Sequence, residues 1–201
     1  MEQYINKIIN ADCMDILKQL PDKCIDLVLT DPPYGIGISN KPVRQMHPKK
    51  DWDNSIPVSD IFQEIFRVSK NQIIWGGNYF NLPPTQCFLI WDKVQPENFS
   101  LAMCEMAWTS FSKPAKLFRK SVLSEKDKIH PTQKNLSLFE WCLQNYSKEG
   151  DLILDCFSGS GTTAVACHNL HRHFICIEKN PDYYATSVER LEKVQSQLLL
   201  F

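Results

Sequence analysis

Residues 25–35 read Ile-Asp-Leu-Val-Leu-Thr-Asp-Pro-Pro-Tyr-Gly. The apolar run from Ile25 to Leu29 predicts a buried strand, which puts Asp31 at that strand's carboxyl end. In open α/β sheets, ligands bind outside that edge. Pro32 and Pro33 each fix φ and lack an N–H, so the turn is stiff and their carbonyls have no obligatory ladder partner. The turn presents a carboxylate, free carbonyls and the aromatic face of Tyr34. That set suits a flat molecule with an exposed amine. Asp and Pro are also ordinary turn formers, and taken alone the stretch reads most simply as a loop.

A second stretch supplies context. Leu152 to Leu154 predicts a strand, Phe157-Ser158-Gly159-Ser160-Gly161 a loop, and Thr162 to Leu170 a helix. Glycines let backbone approach a ligand closely, and the helix start offers unpaired N–H groups. No Lys follows Gly161, so the pattern of a triphosphate-binding loop is absent. Phe174 to Ile177 predicts the next strand, ending in Glu178. An acidic residue at that place, some 20 residues past a glycine loop, commonly binds ribose hydroxyls and points to an adenosine ligand.

Asp31-Pro32-Pro33-Tyr34 resembles the catalytic motif of the amino-group DNA methyltransferases, and Phe157 to Gly161 resembles their S-adenosyl-L-methionine loop. His130-Pro131-Thr132-Gln133-Lys134 falls between them, as in the family's β class, where the catalytic motif precedes the cofactor loop. The similarity runs from about Asn10 to Leu191. It implies an α/β fold: a doubly wound, mostly parallel seven-stranded sheet with circularly permuted motif order. It also implies that Asp31, Pro32, Pro33 and Tyr34 carry the chemistry, and that S-adenosyl-L-methionine is the cofactor. Asp12 and Cys13, Asp31, and His130, Thr132 and Gln133 are expected around that cofactor. So are Asp155, Phe157, Ser158, Gly159, Ser160, Gly161, Thr162 and Thr163, with Glu178 and Lys179. Asp12 alone reads as a helix N-cap. Asp at the first motif position usually accompanies transfer to adenine N6, and Ser is common for cytosine N4. Adenine in DNA is therefore the expected target and cytosine N4 the alternative. An RNA or protein N-methyltransferase and a non-catalytic DNA-binding module are rivals from other classes.

The 201 residues suffice for one domain with a real core, 43% hydrophobic and 22% charged. No apolar run approaches the roughly 18 residues of a membrane span. The first residues lack the build of a signal peptide, so cytoplasm is expected. Eight cysteines contain no C-x-x-C pair, which favours reduced structural thiols and no metal. Net charge is −1, yet basic residues cluster. Residues 35–57 carry no periodicity and are expected to form a mobile flap over the extruded base, with Lys41, Arg44, Lys49, Lys50 and Trp52 facing DNA. Residues of about 93–128 form a short candidate recognition insertion, weakly patterned after Lys113, with Lys113, Lys116, Arg119 and Lys120 as phosphate contacts. Asn78 and Tyr79, after Gly76-Gly77, are expected beside the target base. Duplex DNA is the implied partner, and the short insertion leaves room for a homodimer. A cognate restriction endonuclease is a further partner that such an enzyme can have.

The remaining segments complete the expected frame. Ile5 to Asn10, Asn71 to Trp75 and Cys87 to Trp91 read as strands, and Met103 to Phe111 as the hairpin partner that finishes the sheet. Asp12 to Leu20, the stretch after Ser59, Thr132 to Tyr146 and the stretch after Asn180-Pro181 read as helices.

Overall fold

The computed structural model describes residues 1–34, 59–96, 102–121 and 134–197. Its first elements are β1 (Lys7–Asn10), α1 (Cys13–Leu17) and β2 (Ile25–Thr30), followed by α2 (Ser59–Val68) and β3 (Ser69–Trp75). Then come β4 (Phe88–Asp92), β5 (Cys104–Thr109), β6 (Lys116–Arg119) and α3 (Leu136–Tyr146). β7 (Leu152–Asp155), α4 (Thr162–Asn169), β8 (His173–Glu178) and α5 (Pro181–Gln197) close the chain.

The strands form one sheet in the order β1-β8-β7-β2-β3-β5-β4-β6. Among the described strands, β5 alone runs against its neighbours, and every other pairing is parallel. β2 is buried along nearly its whole length, as a strand covered on both faces must be. Successive side chains go to opposite faces. Leu27, Leu29, Ile73 and Trp75 join a core with Leu138, Phe139 and Leu143 of α3 and Val165 of α4. Val28 and Ile74 join the opposite core with Ile16 and Leu17 of α1 and Ile61, Phe62 and Ile65 of α2. The sheet is therefore doubly wound.

β2 and β7 lie side by side, yet the chain leaves β2 toward β3 and leaves β7 toward β8 on the other side. That reversal is the topological switch point, where a crevice opens at the carboxyl ends of the strands. Both quoted stretches end there.

Three expectations change. Among the described residues the sheet has eight strands, because Lys116–Arg119 adds to β4 in parallel beyond the expected edge. Phe118 anchors it, its ring 5.5 Å from that of Trp141 on α3. The Met103 to Phe111 segment does pair with β4, but it is inserted between β3 and β4 instead of finishing the sheet. α3 begins at Leu136, with Asn135 as its N-cap, rather than at Thr132. All eight cysteines are free thiols. Among the described residues, no helix is long and apolar enough to cross a membrane, and no three potential metal ligands converge.

Candidate active site

The four residues after β2 leave the sheet at the switch point, Pro32 buried and Asp31, Pro33 and Tyr34 partly exposed. The Tyr34 hydroxyl donates to Asp31 Oδ1 at 2.6 Å. Its ring stacks on Tyr79, centroids 4.9 Å apart and planes inclined by 17°, and meets Phe80 edge-on at 6.2 Å. Gly76 ends β3 with φ of 67°, and a Cβ there would lie 2.1 Å from the Tyr34 ring. Glycine is required for the left-handed backbone and for the room it leaves the tyrosine.

Asp31 Oδ2 accepts from Lys134 Nζ at 2.9 Å. The same ammonium donates to Glu105 Oε2 at 2.6 Å and to the Tyr34 oxygen at 3.0 Å. Glu105 Oε1 takes a second cation, Lys93 Nζ, at 2.5 Å. Burial pushes the Asp31 carboxyl above the usual carboxylate range, and Lys134 opposes that push. Burial also works against a charged Glu105, but Lys134 and Lys93 outweigh it and bring that carboxyl to about 2. For Lys134 the desolvation is overcome by Asp31 and Glu105, which hold the ammonium protonated well above its ordinary range. Burial and the Asp31 charge raise Tyr34 as well, so its hydroxyl keeps its proton.

The second half of the crevice is built around Asp155, which β7 delivers beside Thr30 of β2. It accepts from Thr30 Oγ1 at 2.7 Å, from Phe157 N–H at 3.0 Å and from Thr163 Oγ1 at 2.5 Å. Desolvation raises its carboxyl to about 6 against those three donors. Asp155 and Thr163 thus join the ends of β2 and β7 to the start of α4. Arg190 of α5 holds the loop from the other side, donating to Ser160 O at 3.0 Å and to Thr162 Oγ1 at 3.0 Å. Glu178 accepts from Gly159 N–H at 2.8 Å through Oε2 and from Asn180 N–H at 2.7 Å through Oε1. β1 pairs with β8 so that Asn10 lies opposite Glu178, which brings Asp12 to the same edge. Asp12 is the N-cap of α1, accepting from Met14 N–H at 3.0 Å, and its other oxygen takes Lys179 Nζ at 2.8 Å. Those two contacts fix the Asp12 carboxylate in place, and the backbone of Asp12 and Cys13 lies at the same edge.

The loop fits an adenosine-type ligand. Ser158 Oγ is buried with no hydrogen-bond partner, a state that a buried hydroxyl seldom keeps without a ligand or water. A Cβ built on Gly159 would meet nothing within 4 Å, so there is open space before the loop.

Asp31, Pro32, Pro33 and Tyr34 therefore share one crevice with Asp155 to Thr163, Glu178, Lys179, Asp12 and Cys13. Tyr79 packs directly on Tyr34, and Asn78 beside it is exposed. His130, Thr132, Gln133, Lys41, Arg44, Lys49, Lys50 and Trp52 lie outside the described residues, as does the 35–57 segment. The basic run of β6 is divided. Because β6 runs parallel to β4, Arg119 and Lys120 come to the ligand edge, paired with Asp92 Oδ2 at 2.8 Å and with Ser137 Oγ. Lys113 and Lys116 sit toward the other edge. Lys113 lies 5.3 Å from the Tyr146 ring, and Lys116 donates to Asn145 Oδ1 at 2.6 Å.

Lys134, Glu105, Lys93 and Gly76 were not among the sequence candidates. One signal was present: Glu105 interrupts an otherwise apolar strand, and a carboxylate there needs a cation.

A family model described as a DNA methylase matches residues 74–189, more than half of the chain. The type II methyltransferase M.HinfI of Haemophilus influenzae is 25% identical over 97% of this chain and 70% of its own. The crystal structure of the M1.HpyAVI–SAM complex superposes with a TM-score of 0.64 at 24% identity, covering 92% of this chain and 98% of that one. PvuII DNA methyltransferase, described as cytosine-N4-specific, gives a TM-score of 0.64 at 18% identity over 94% and 90% of the two chains.

Proposed function

Because the chain belongs to the DNA methylase family, we propose that it is a site-specific DNA methyltransferase acting on the N6 amine of an adenine turned out of the duplex. The observation that carries this reading is the Asp31 turn. Its carboxylate is fixed by two donors and still 21% exposed, beside the stacked faces of Tyr34 and Tyr79. S-adenosyl-L-methionine, when bound, supplies the methyl group as an electrophilic sulfonium. The Phe157 to Gly161 loop, Glu178, and the backbone of Asp12 and Cys13 would hold it.

The amine's lone pair is delocalised into the ring, so its nitrogen must be made more nucleophilic. Asp31 and the Pro32 carbonyl accept hydrogen bonds from the amine and favour a tetrahedral nitrogen, and Tyr34 stacks on the base. The proton that the nitrogen loses as its new C–N bond forms passes to the Asp31 carboxylate or to water. Inside a duplex the out-of-plane lone pair is covered, and the base must leave the stack at roughly a few kcal/mol. Preorganised acceptors and positioning then supply most of the acceleration. A covalent route through cysteine is disfavoured. Burial pushes the Cys13 thiol to about 12 and Cys156 well above its usual range, so neither offers a thiolate near neutral pH. An Asp rather than a Ser at position 31 favours adenine, by analogy with the family. A second copy of the chain and a cognate restriction endonuclease are the partners we add to DNA.

The test is transfer of labelled methyl to unmethylated duplex DNA, followed by nucleoside mass analysis. N6-methyladenine is expected. N4-methylcytosine would overturn the base assignment, and label in RNA or protein alone would overturn the substrate class.

A further inference from the structure

Lys134 sits at a junction that the proposed chemistry does not yet use. Its side chain is 8% exposed and that of Lys93 10%, so both ammonium groups are nearly out of water. An ammonium has three N–H donors, and three oxygens surround this one: Asp31 Oδ2, Glu105 Oε2 and the Tyr34 hydroxyl. The Tyr34 oxygen accepts from Lys134 while its hydrogen goes to Asp31 Oδ1, so the hydroxyl has one orientation available. The Lys134 ammonium also lies 5.4 Å from the Tyr34 ring centre and 5.9 Å from that of Trp75. Two carboxylates and two ammonium groups alternate along the row Asp31, Lys134, Glu105, Lys93, with no net charge.

We infer, resting on the methyl-transfer reading, that Lys134 is a positioning residue for Asp31, and that Glu105, anchored by Lys93, sets how much of the Lys134 charge Asp31 receives. An amine acceptor has to be ionised, and it has to keep a lone pair free. Each carboxylate oxygen of Asp31 accepts one internal donor, which leaves one acceptor position on each for the incoming amine. Without Lys134, burial would leave Asp31 to hold a proton and donate where it must accept. With Lys134 and no Glu105, the ammonium would turn wholly to Asp31 and compete with the amine. Glu105 divides the ammonium between two carboxylates, so that Asp31 is ionised without being saturated.

Among the described residues, the charged and titratable groups facing Asp31 are Tyr34 from its own turn, Lys134 before α3, Glu105 of β5 and Asp155 at the end of β7. Lys93, beyond β4, acts through Glu105. Because Glu105 is ionised from about pH 2 upward, it contributes a constant negative charge across the working range. Removing a neighbouring charge at this separation moves a carboxyl by about one pH unit or more.

The experiment is the pH dependence of single-turnover methyl transfer to duplex DNA, paired with carbon NMR titration of the Asp31 carboxyl. Wild type is compared with Lys134→Met, Lys134→Arg and Glu105→Gln. Lys134→Met should move the acidic limb of the rate, and the Asp31 titration, to higher pH by about one unit. Glu105→Gln should move both to lower pH, and Lys134→Arg should hold the limb near its original place. Limbs and titrations that stay put in both charge-removing variants, with only rate or stability lost, would overturn the inference. Should Lys134→Met fail to fold, the acid shift in Glu105→Gln decides alone. If wild type transfers no methyl to DNA, the function reading falls, and the NMR titration still decides whether Lys134 and Glu105 govern Asp31.

Discussion

Gly76→Ala should disable the site through Tyr34. The left-handed backbone at φ of 67° costs an alanine about 1–2 kcal/mol. The new Cβ would stand 2.1 Å from Tyr34 Cε1, where carbon atoms normally keep about 3.5–4.0 Å, so the ring must retreat by roughly 1.5 Å. Retreat opens the stack on Tyr79, worth about 0.5–1.5 kcal/mol. It also breaks the hydroxyl's bonds to Asp31 and Lys134, charged contacts of about 1.5–3 kcal/mol each before the groups find new partners. Allowing for partial relaxation, Gly76→Ala should lose about 3–5 kcal/mol of stability. Gly150 is the internal control, because its φ is 79° and a Cβ there meets nothing within 4 Å. Gly150→Ala should lose only the backbone part, about 1–2 kcal/mol. Urea unfolding of both variants, with single-turnover transfer and calorimetric cofactor binding, separates the contributions. Transfer should fall about 100-fold in Gly76→Ala, the equivalent of some 2.7 kcal/mol, with cofactor affinity kept. Equal stability in the two variants, with transfer undiminished in Gly76→Ala, would refute the reasoning.

Further outcomes follow from the same geometry. The Asp155 carboxyl is raised by burial from 3.8 to about 6. The folded state therefore binds that proton more tightly than the unfolded chain, and the unfolding free energy should fall as pH rises from about 4 to 6, by up to about 3 kcal/mol. Asp155→Asn should abolish that slope in urea titrations at a series of pH values, and an unchanged slope would count against the assignment. Glu178→Gln replaces an acceptor of two N–H groups by one acceptor and one donor, so calorimetry should find cofactor affinity lowered about 10-fold or more, against unchanged binding if Glu178 only braces the loop. Arg119→Ala should reduce the salt slope of DNA binding by about one. Lys116→Ala, on the far edge, should leave that slope alone, and the reverse pattern would move the DNA path across the sheet.

Much of this arrangement was legible because it is local. The strand before Asp31, the stiff Pro32-Pro33 turn, the glycine loop and the acidic end of β8 are each specified by residues close in sequence. The switch-point crevice then brings them together. β6 was missed for a physical reason: over four residues only Phe118 is partly covered, which gives no alternation to read. The Lys134 junction was invisible for another. Its partners lie 103 residues away at Asp31 and 29 at Glu105, and only the sheet order, with β5 beside β3, makes them neighbours. The stretch after Gly76-Gly77 was legible as lying beside the target base, but not that Tyr34 packs against Gly76. Asp155, expected against the cofactor, has its carboxylate engaged by three internal donors.

Single-turnover transfer by wild type and Asp31→Ala, with cofactor binding measured on the same samples, tests the role of the Asp31 turn most directly. Wild type should label duplex DNA, and the variant should bind cofactor nearly as well while transfer falls below detection. A variant that loses binding and transfer equally would show Asp31 to be a binding residue, and one that transfers at the wild-type rate would contradict the account outright.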